Sequence, residues 1–173
     1  MDPAKRWRRL YLRLVDLHHD RVYGHLRLLC GDDALAADLT SETFMQVWLH
    51  PPRSRRAGAL RAYVFNIAVN QFRQHRRRRG VETVPVDDVD EPVEASDDDP
   101  LNALAEAELS DALASAVEQL PEIYRLVVLL HSIEGLTLRE TAEILEIPVG
   151  TAKSRLNAAL KMLRRSLREW KGE

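Results

Sequence analysis

Apolar residues recur at helical spacing along most of this chain. Trp7, Leu10, Leu14, Leu17, Val22, Leu26 and Leu29 form the first series. Asp2 and Pro3 suit the N-cap and first turn of a helix, and the break at Gly31-Asp32-Asp33 ends it. Leu35, Leu39, Phe44, Val47 and Trp48 predict a second helix over 34–49. His50-Pro51-Pro52 stops it, because proline lacks the N–H that would continue the ladder. A loop over 51–58 carries Arg53, Arg55 and Arg56. Leu60, Val64, Ile67, Ala68 and Phe72 predict a third helix over 59–79, closed at Gly80.

Residues 81–106 lose the stripe. They hold Pro85, Pro92 and Pro100 among many carboxylates, which predicts a flexible acidic linker. The stripe then returns. Leu109, Leu113, Ala116, Val117 and Leu120 mark one helix; Pro121 opens another, through Tyr124, Val127, Val128, Leu130 and Ile133 to Gly135. Thr137 is an N-cap for 138–145, with Glu140 at the capping-box position. Ile147-Pro148 turns the chain into a last helix from 149 to about 170. No strand-like alternation competes with this pattern. The expected architecture is all-α: two small helical domains, 1–80 and 107–173, joined by the linker 81–106.

Composition narrows the class. The chain has 173 residues, 45% of them hydrophobic and 30% charged, which is ordinary for a globular protein. No apolar run approaches the roughly 18–20 residues of a membrane span. No apolar segment follows Met1-Asp2-Pro3, so no secretory signal is expected, and the expected home is the cytoplasm. A single cysteine, Cys30, excludes a disulfide framework and reads as a core residue.

The net charge of −2 conceals the main signal. Residues 1–80 carry 16 Lys and Arg against 7 Asp and Glu, a net of +9. Residues 81–108 carry none against 11, and residues 109–173 carry 9 against 9. A basic block beside an acidic tether points to a nucleic-acid-facing module. The acidic run lying back on the basic block is one arrangement such a chain permits.

Three segments carry candidate chemistry. The first, 137–163, is a short helix, a tight turn and a longer basic helix, which is helix-turn-helix logic. At about 100° per residue, Val149, Ala152, Leu156, Leu160 and Leu163 face the core. Thr151, Ser154, Arg155 and Ala158 fall opposite, with Lys153, Asn157, Lys161 and Arg164 on one flank. Short polar and cationic side chains are what base edges and phosphates require. The second segment is the third helix. There Tyr63, Phe65 and Phe72 interleave with Asn66, Asn70, Gln71, Arg73 and Arg76–Arg79. Rings and cations together suit unstacked single-stranded bases. The third, 38–48, sets Asp38 and Glu42 at i,i+4 near Ser41 and Met45, a mixed acidic and apolar face suited to docking a protein.

An enzyme reading finds little to hold. No HExxH, paired-carboxylate site or glycine-rich phosphate loop is present, and no cofactor or metal is expected. His18, His19 and His25 share one helix and are the nearest approach to a metal cluster.

In order and wording, these segments resemble a bacterial RNA polymerase sigma factor of the sigma-70 family, extracytoplasmic-function (ECF) type. DLTSETFMQVW is similar to region 2.2, LRAYVFNIAVNQFRQHRRRR to regions 2.3–2.4, and LPEIYRLVVLLHSIEGLTLRETAEILEIPVGTAKSRL to region 4. The linker leaves no room for a separate region 3 domain.

The resemblance implies promoter-specific initiation with core RNA polymerase, and roles for named residues. Asp38, Leu39, Ser41, Glu42 and Met45 would dock on the clamp helices of the β′ subunit. Arg53, Arg55, Arg56, Tyr63, Phe65, Asn66 and Asn70 would hold the unstacked strand of the −10 element. Arg73 and Arg76–Arg79 would meet its phosphates. Thr151, Lys153, Ser154, Arg155, Asn157 and Lys161 would read or clamp the −35 element. The hairpin around Tyr124–Ile133 would face the β flap, and an anti-sigma factor would cover the same faces. Three residues depart from the family pattern: Ser41 stands for Gln, Glu146 for Gly, and Ala158 for Arg. The competing reading is a stand-alone helix-turn-helix regulator that binds duplex DNA without polymerase.

Overall fold

A computed structural model describes residues 3–54, 56–80 and 107–171, with side chains over 4–54, 56–80 and 111–168. Arg55 and the expected linker 81–106 lie outside these residues. The described residues form seven α-helices and no strand, the all-α architecture expected. They divide into two compact units, Met1–Pro85 and Val86–Glu173.

In the first unit, α1 (Pro3–Cys30), α2 (Asp33–Leu49) and α3 (Ala57–Arg78) each pack on the other two. Leu14, Val22, Leu26 and Leu29 of α1 meet Ala36, Leu39, Phe44 and Val47 of α2 and Leu60, Val64, Phe65, Ala68, Val69 and Phe72 of α3 in one core. Each of the Leu, Val and Phe side chains among them contributes about 1.5–3 kcal/mol on leaving water. His25 is buried among them, its ring centroid 5.1 Å from that of Phe65. The α1–α2 corner is built locally. Gly31 takes the left-handed conformation at φ 67°, and its N–H donates to the Arg27 carbonyl at 2.9 Å. The Asp32 carboxylate caps α2 by accepting from the Leu35 N–H at 2.8 Å. Arg27 and Tyr23 both donate to Asp33 across the corner.

In the second unit, α4 (Ala107–Gln119), α5 (Glu122–Val128) and α6 (Leu138–Leu145) all pack on α7 (Val149–Lys171). A π-helical turn, Leu129–Ile133, continues α5. Leu126 to Leu130 are buried without a gap, so this stretch has core on every side. Arg125 fastens the α4–α5 corner by donating to the carbonyls of Glu118 and Leu120, the latter at 2.8 Å.

The α6–α7 corner follows the expected capping box. The Thr137 hydroxyl accepts from the Glu140 N–H at 3.2 Å, and the Glu140 carboxylate accepts from the Thr137 N–H at 2.8 Å. At the other end of α6, the Ile147 N–H donates to the Ala142 carbonyl at 3.0 Å, closing a Schellman turn around Glu146. Glu146 sits at φ 57°, ψ 41°, a left-handed position that crowds any Cβ. Glu146→Gly is therefore expected to raise this unit's stability by about 0.5–1 kcal/mol, after the larger chain entropy of glycine is set against the relieved strain. A urea midpoint that fails to rise would show that the Glu146 side chain offsets its own backbone strain.

Several expected core positions are not core. Leu17 is 69% exposed, because the buried row of α1 runs through Leu14, Val22, Leu26 and Leu29 and Leu17 falls to one side of it. Trp48 and Val149 are also exposed, at 42% and 47%. The inward row of α7 is Ala152, Leu156, Ala159 and Leu163, so Ala159 takes a place the sequence gives to Leu160. Cys30 is half-exposed at the end of α1 rather than in the core.

Candidate nucleic-acid interface

α3 turns one polar face outward. Asn66, Asn70, Arg73 and Arg77 follow each other at i, i+4, i+7 and i+11, which keeps them in one row. The Asn70 Nδ2 donates to the Asn66 Oδ1 at 3.1 Å, so each amide fixes the other and both keep unused donors and acceptors for a base edge. Tyr63 stands at the head of this row. Its hydroxyl donates to the His50 carbonyl, tying the start of the Pro51–Arg56 loop to α3. Burial pushes the Tyr63 phenol above its ordinary pKa, so it stays protonated and remains the donor. Arg53 and Arg56 on that loop are exposed.

Phe65 departs from the expected role. It has no exposed surface and lies in the core against His25, so its ring is not open to stack on a base. Phe72 is likewise buried at 2% exposure. Both sit on the inward row of α3, Phe65 to Phe72 being two helical turns apart. Arg76 is half-buried, its guanidinium carbon 6.0 Å from the Phe72 ring centroid. Tyr63 is the one aromatic of the three with an accessible edge. Four basic residues in the last turn, His75 to Arg78, also suit the negative end of the helix dipole.

On α7, Ser154, Asn157, Ala158 and Lys161 form an outward row at i, i+3, i+4 and i+7. Lys153 and Lys161 are exposed; Thr151, Ser154, Arg155 and Asn157 are half-exposed. The Ser154 hydroxyl donates to the Thr151 carbonyl at 3.1 Å and keeps its lone pairs for a donor from outside. No acidic residue occupies the first turn of α7, so its positive end is left open to an anion. The Pro148 carbonyl receives the first helical bond, from the Ala152 N–H at 3.0 Å.

On α2, Asp38, Ser41, Glu42 and Met45 are exposed on one face. Leu39 is not part of it: at 4% exposure it packs in the core, one residue and about 100° from Asp38. The face continues to Trp48 and Leu49, which are 42% and 58% exposed. The sequence carries the signal for both, since they stand three and four residues beyond Met45. Trp48 is held in place by an aromatic trio. Its ring stacks on Trp7 at 6.4 Å and meets Tyr11 edge-on at 4.9 Å, and the Trp7 indole donates to the Trp48 carbonyl at 3.2 Å.

Among the described residues, no three His, Cys, Asp or Glu side chains gather in a way that could hold a metal. His25 faces Phe65, and His19 stacks on Phe44 at 5.8 Å. No helix among the described residues is long and apolar enough to cross a membrane.

The comparisons with known proteins fall on both units. The family model for Sigma-70 region 2 matches residues 14–81, and that for Sigma-70, region 4 matches residues 110–163. The chain is 34% identical over 154 residues to the ECF RNA polymerase sigma factor SigE of Mycolicibacterium smegmatis. That match covers 87% of this chain and spans 59% of the relative's length. It is 32% identical over 159 residues to the ECF RNA polymerase sigma factor SigL of Mycobacterium tuberculosis, covering 90% of this chain and 88% of SigL. The fold is similar to that of the sigma factor RpoE solved in complex with the anti-sigma factor NepR from Bartonella quintana, with a TM-score of 0.68, 23% identity, and coverage of 91% and 96% of the two chains.

Proposed function

Because the chain belongs to the ECF sigma factors of the sigma-70 family, we propose that it binds core RNA polymerase and directs promoter-specific initiation of transcription. One observation carries this reading above others: a polar and cationic row on α3 stands in the same chain as a helix-turn-helix with an open α7 N-terminus. A duplex-binding regulator needs the second feature and has no use for the first.

The α7 row enters the major groove of the −35 element. Ser154 and Asn157 reach base edges, Lys153 and Lys161 meet phosphates, and Thr151 and Arg155 lie at the helix start and flank. Ala158 adds no polar contact at the centre of that row. The α3 row captures the melted −10 strand. Asn66 and Asn70 read base edges, while Arg73, Arg77 and the accessible part of Arg76 meet phosphates. Arg53 and Arg56 close over the strand from a loop held by Tyr63, and Arg55, between them in sequence, joins them on the strand. Phe65 supports this face from beneath. These contacts offset the few kcal/mol that unstacking a base costs.

The exposed α2 face, Asp38, Ser41, Glu42 and Met45 with Trp48 and Leu49, docks on the β′ clamp helices. The surface around Tyr124–Ile133 meets the β flap. The polymerase makes every covalent bond, so the factor itself acts without catalysis, and it works in the cytoplasm with its polymerase. An anti-sigma protein is the partner expected to cover the α2 and α3 faces when the factor is held inactive.

The test is a gel shift on promoter DNA with and without purified core polymerase. Specific retention is expected with polymerase and not without it; equal retention in both lanes would favour the stand-alone regulator. In the polymerase-bound complex, Lys161→Ala should reduce the slope of log affinity against log salt by about one. An unchanged slope would remove Lys161 from the phosphate-contacting set.

A further inference from the structure

The arginine run at the end of α3 reads in sequence as one phosphate-contacting cluster, and the helix does not keep it together. Successive residues diverge by about 100°. Arg77 extends the Asn66–Asn70–Arg73 row. Arg78 turns the other way, four residues beyond Gln74, into a cleft between α2 and α3. The cleft has a volume of about 380 Å³, with Asp38, Ser41 and Glu42 on its α2 wall and Gln74, His75 and Arg78 on its α3 wall.

The charges in this cleft find no ion-pair partner among the described residues: neither Asp38, Glu42 nor Arg78 takes part in one. The His75 Nε2 is shielded from solvent and has no hydrogen-bond partner among the described residues. A nucleic-acid strand is a poor occupant, because two carboxylates on the facing wall repel phosphate. A protein helix that presents a cation and a carboxylate satisfies both walls together. The cleft is also continuous with the exposed α2 face, since Asp38, Ser41 and Glu42 belong to both.

We infer that Arg78, with Gln74, belongs to the polymerase-docking surface and not to the DNA-binding surface. The cleft receives side chains of the polymerase clamp: a cation beside Asp38 and Glu42, and a carboxylate or carbonyl against Arg78. This rests on the reading that α2 docks on core polymerase. It divides the basic end of α3 between two partners, with Arg73 and Arg77 for the strand and Arg78 for the enzyme.

The experiment is competition for purified core polymerase by the full-length chain, paired with open-complex formation at saturating polymerase. The variants are Arg78→Glu, Arg77→Glu and Glu42→Arg. Arg78→Glu is expected to weaken core binding by roughly ten-fold or more, and to form open complexes normally once polymerase is saturated. Arg77→Glu is expected to show the reverse. Arg78 is exposed at the last turn of its helix, so circular dichroism should be unchanged. Wild-type core affinity for Arg78→Glu, or an open-complex defect that saturation does not repair, would overturn the inference while Glu42→Arg still loses core binding. If Glu42→Arg also binds core normally, the docking role of α2 fails, and the inference with it.

Discussion

Phe65→Ala is expected to destabilise the first helical unit by about 3–5 kcal/mol. Phe65 has no exposed surface and touches the buried ring of His25 at the centre of three packed helices. Removing the ring leaves a cavity that α1 and α3 cannot close without moving their whole buried rows. A domain of this size has only about 5–10 kcal/mol in reserve, so the loss is a large share of it. Hydrogen exchange is the suitable readout, because it separates the α1–α3 amides from those of the second unit. Their protection should collapse while that of α5–α7 stays. Phe65→Leu, which refills most of the space, should retain most of the stability and of the promoter opening. A Phe65→Ala chain that keeps its protection and loses promoter opening alone would return Phe65 to the role of a base-stacking ring.

Glu42→Arg should abolish productive binding to core polymerase without disturbing the fold. Glu42 is exposed on α2, and the helix keeps its inward row of Ala36, Leu39, Thr43 and Val47. The reversal sets a cation where a partner cation is expected, on the wall of the same cleft that Arg78 lines. For a desolvated charge pair the cost is about 2–5 kcal/mol, roughly thirty-fold or more in Kd. A pair at the rim would instead give a small, salt-sensitive change. Competition against labelled wild-type chain for core polymerase measures this directly. A change under about two-fold would take α2 out of the interface.

Much of the fold was legible because its breaks have strong local causes. Gly31 and Asp32 end α1 and cap α2, Pro51 and Pro52 block its continuation, and Thr137 with Glu140 opens α6. The departure from glycine at Glu146 falls where the backbone takes the left-handed conformation at φ 57°. The candidate sites were legible as segments more than as side chains. Phe65 and Tyr63 look alike among asparagines and arginines, yet two residues along a helix points them about 200° apart. One meets the core and the other edges the surface. The same arithmetic separates Leu39 from Asp38, and Arg78 from Arg77. The π-helical turn left no signal, because Leu126 to Leu130 are buried on all sides and show no stripe to interrupt.

The central claim is that this chain recognises promoters as a subunit of polymerase. Run-off transcription tests it most directly, using purified core polymerase, the full-length chain and DNA selected for binding to the assembled complex. The expected result is initiation from a single start, dependent on the chain and lost with Glu42→Arg or with Asn70→Ala and Arg73→Ala together. Tight, specific duplex binding by the chain alone, with no transcript when polymerase is added, would contradict it.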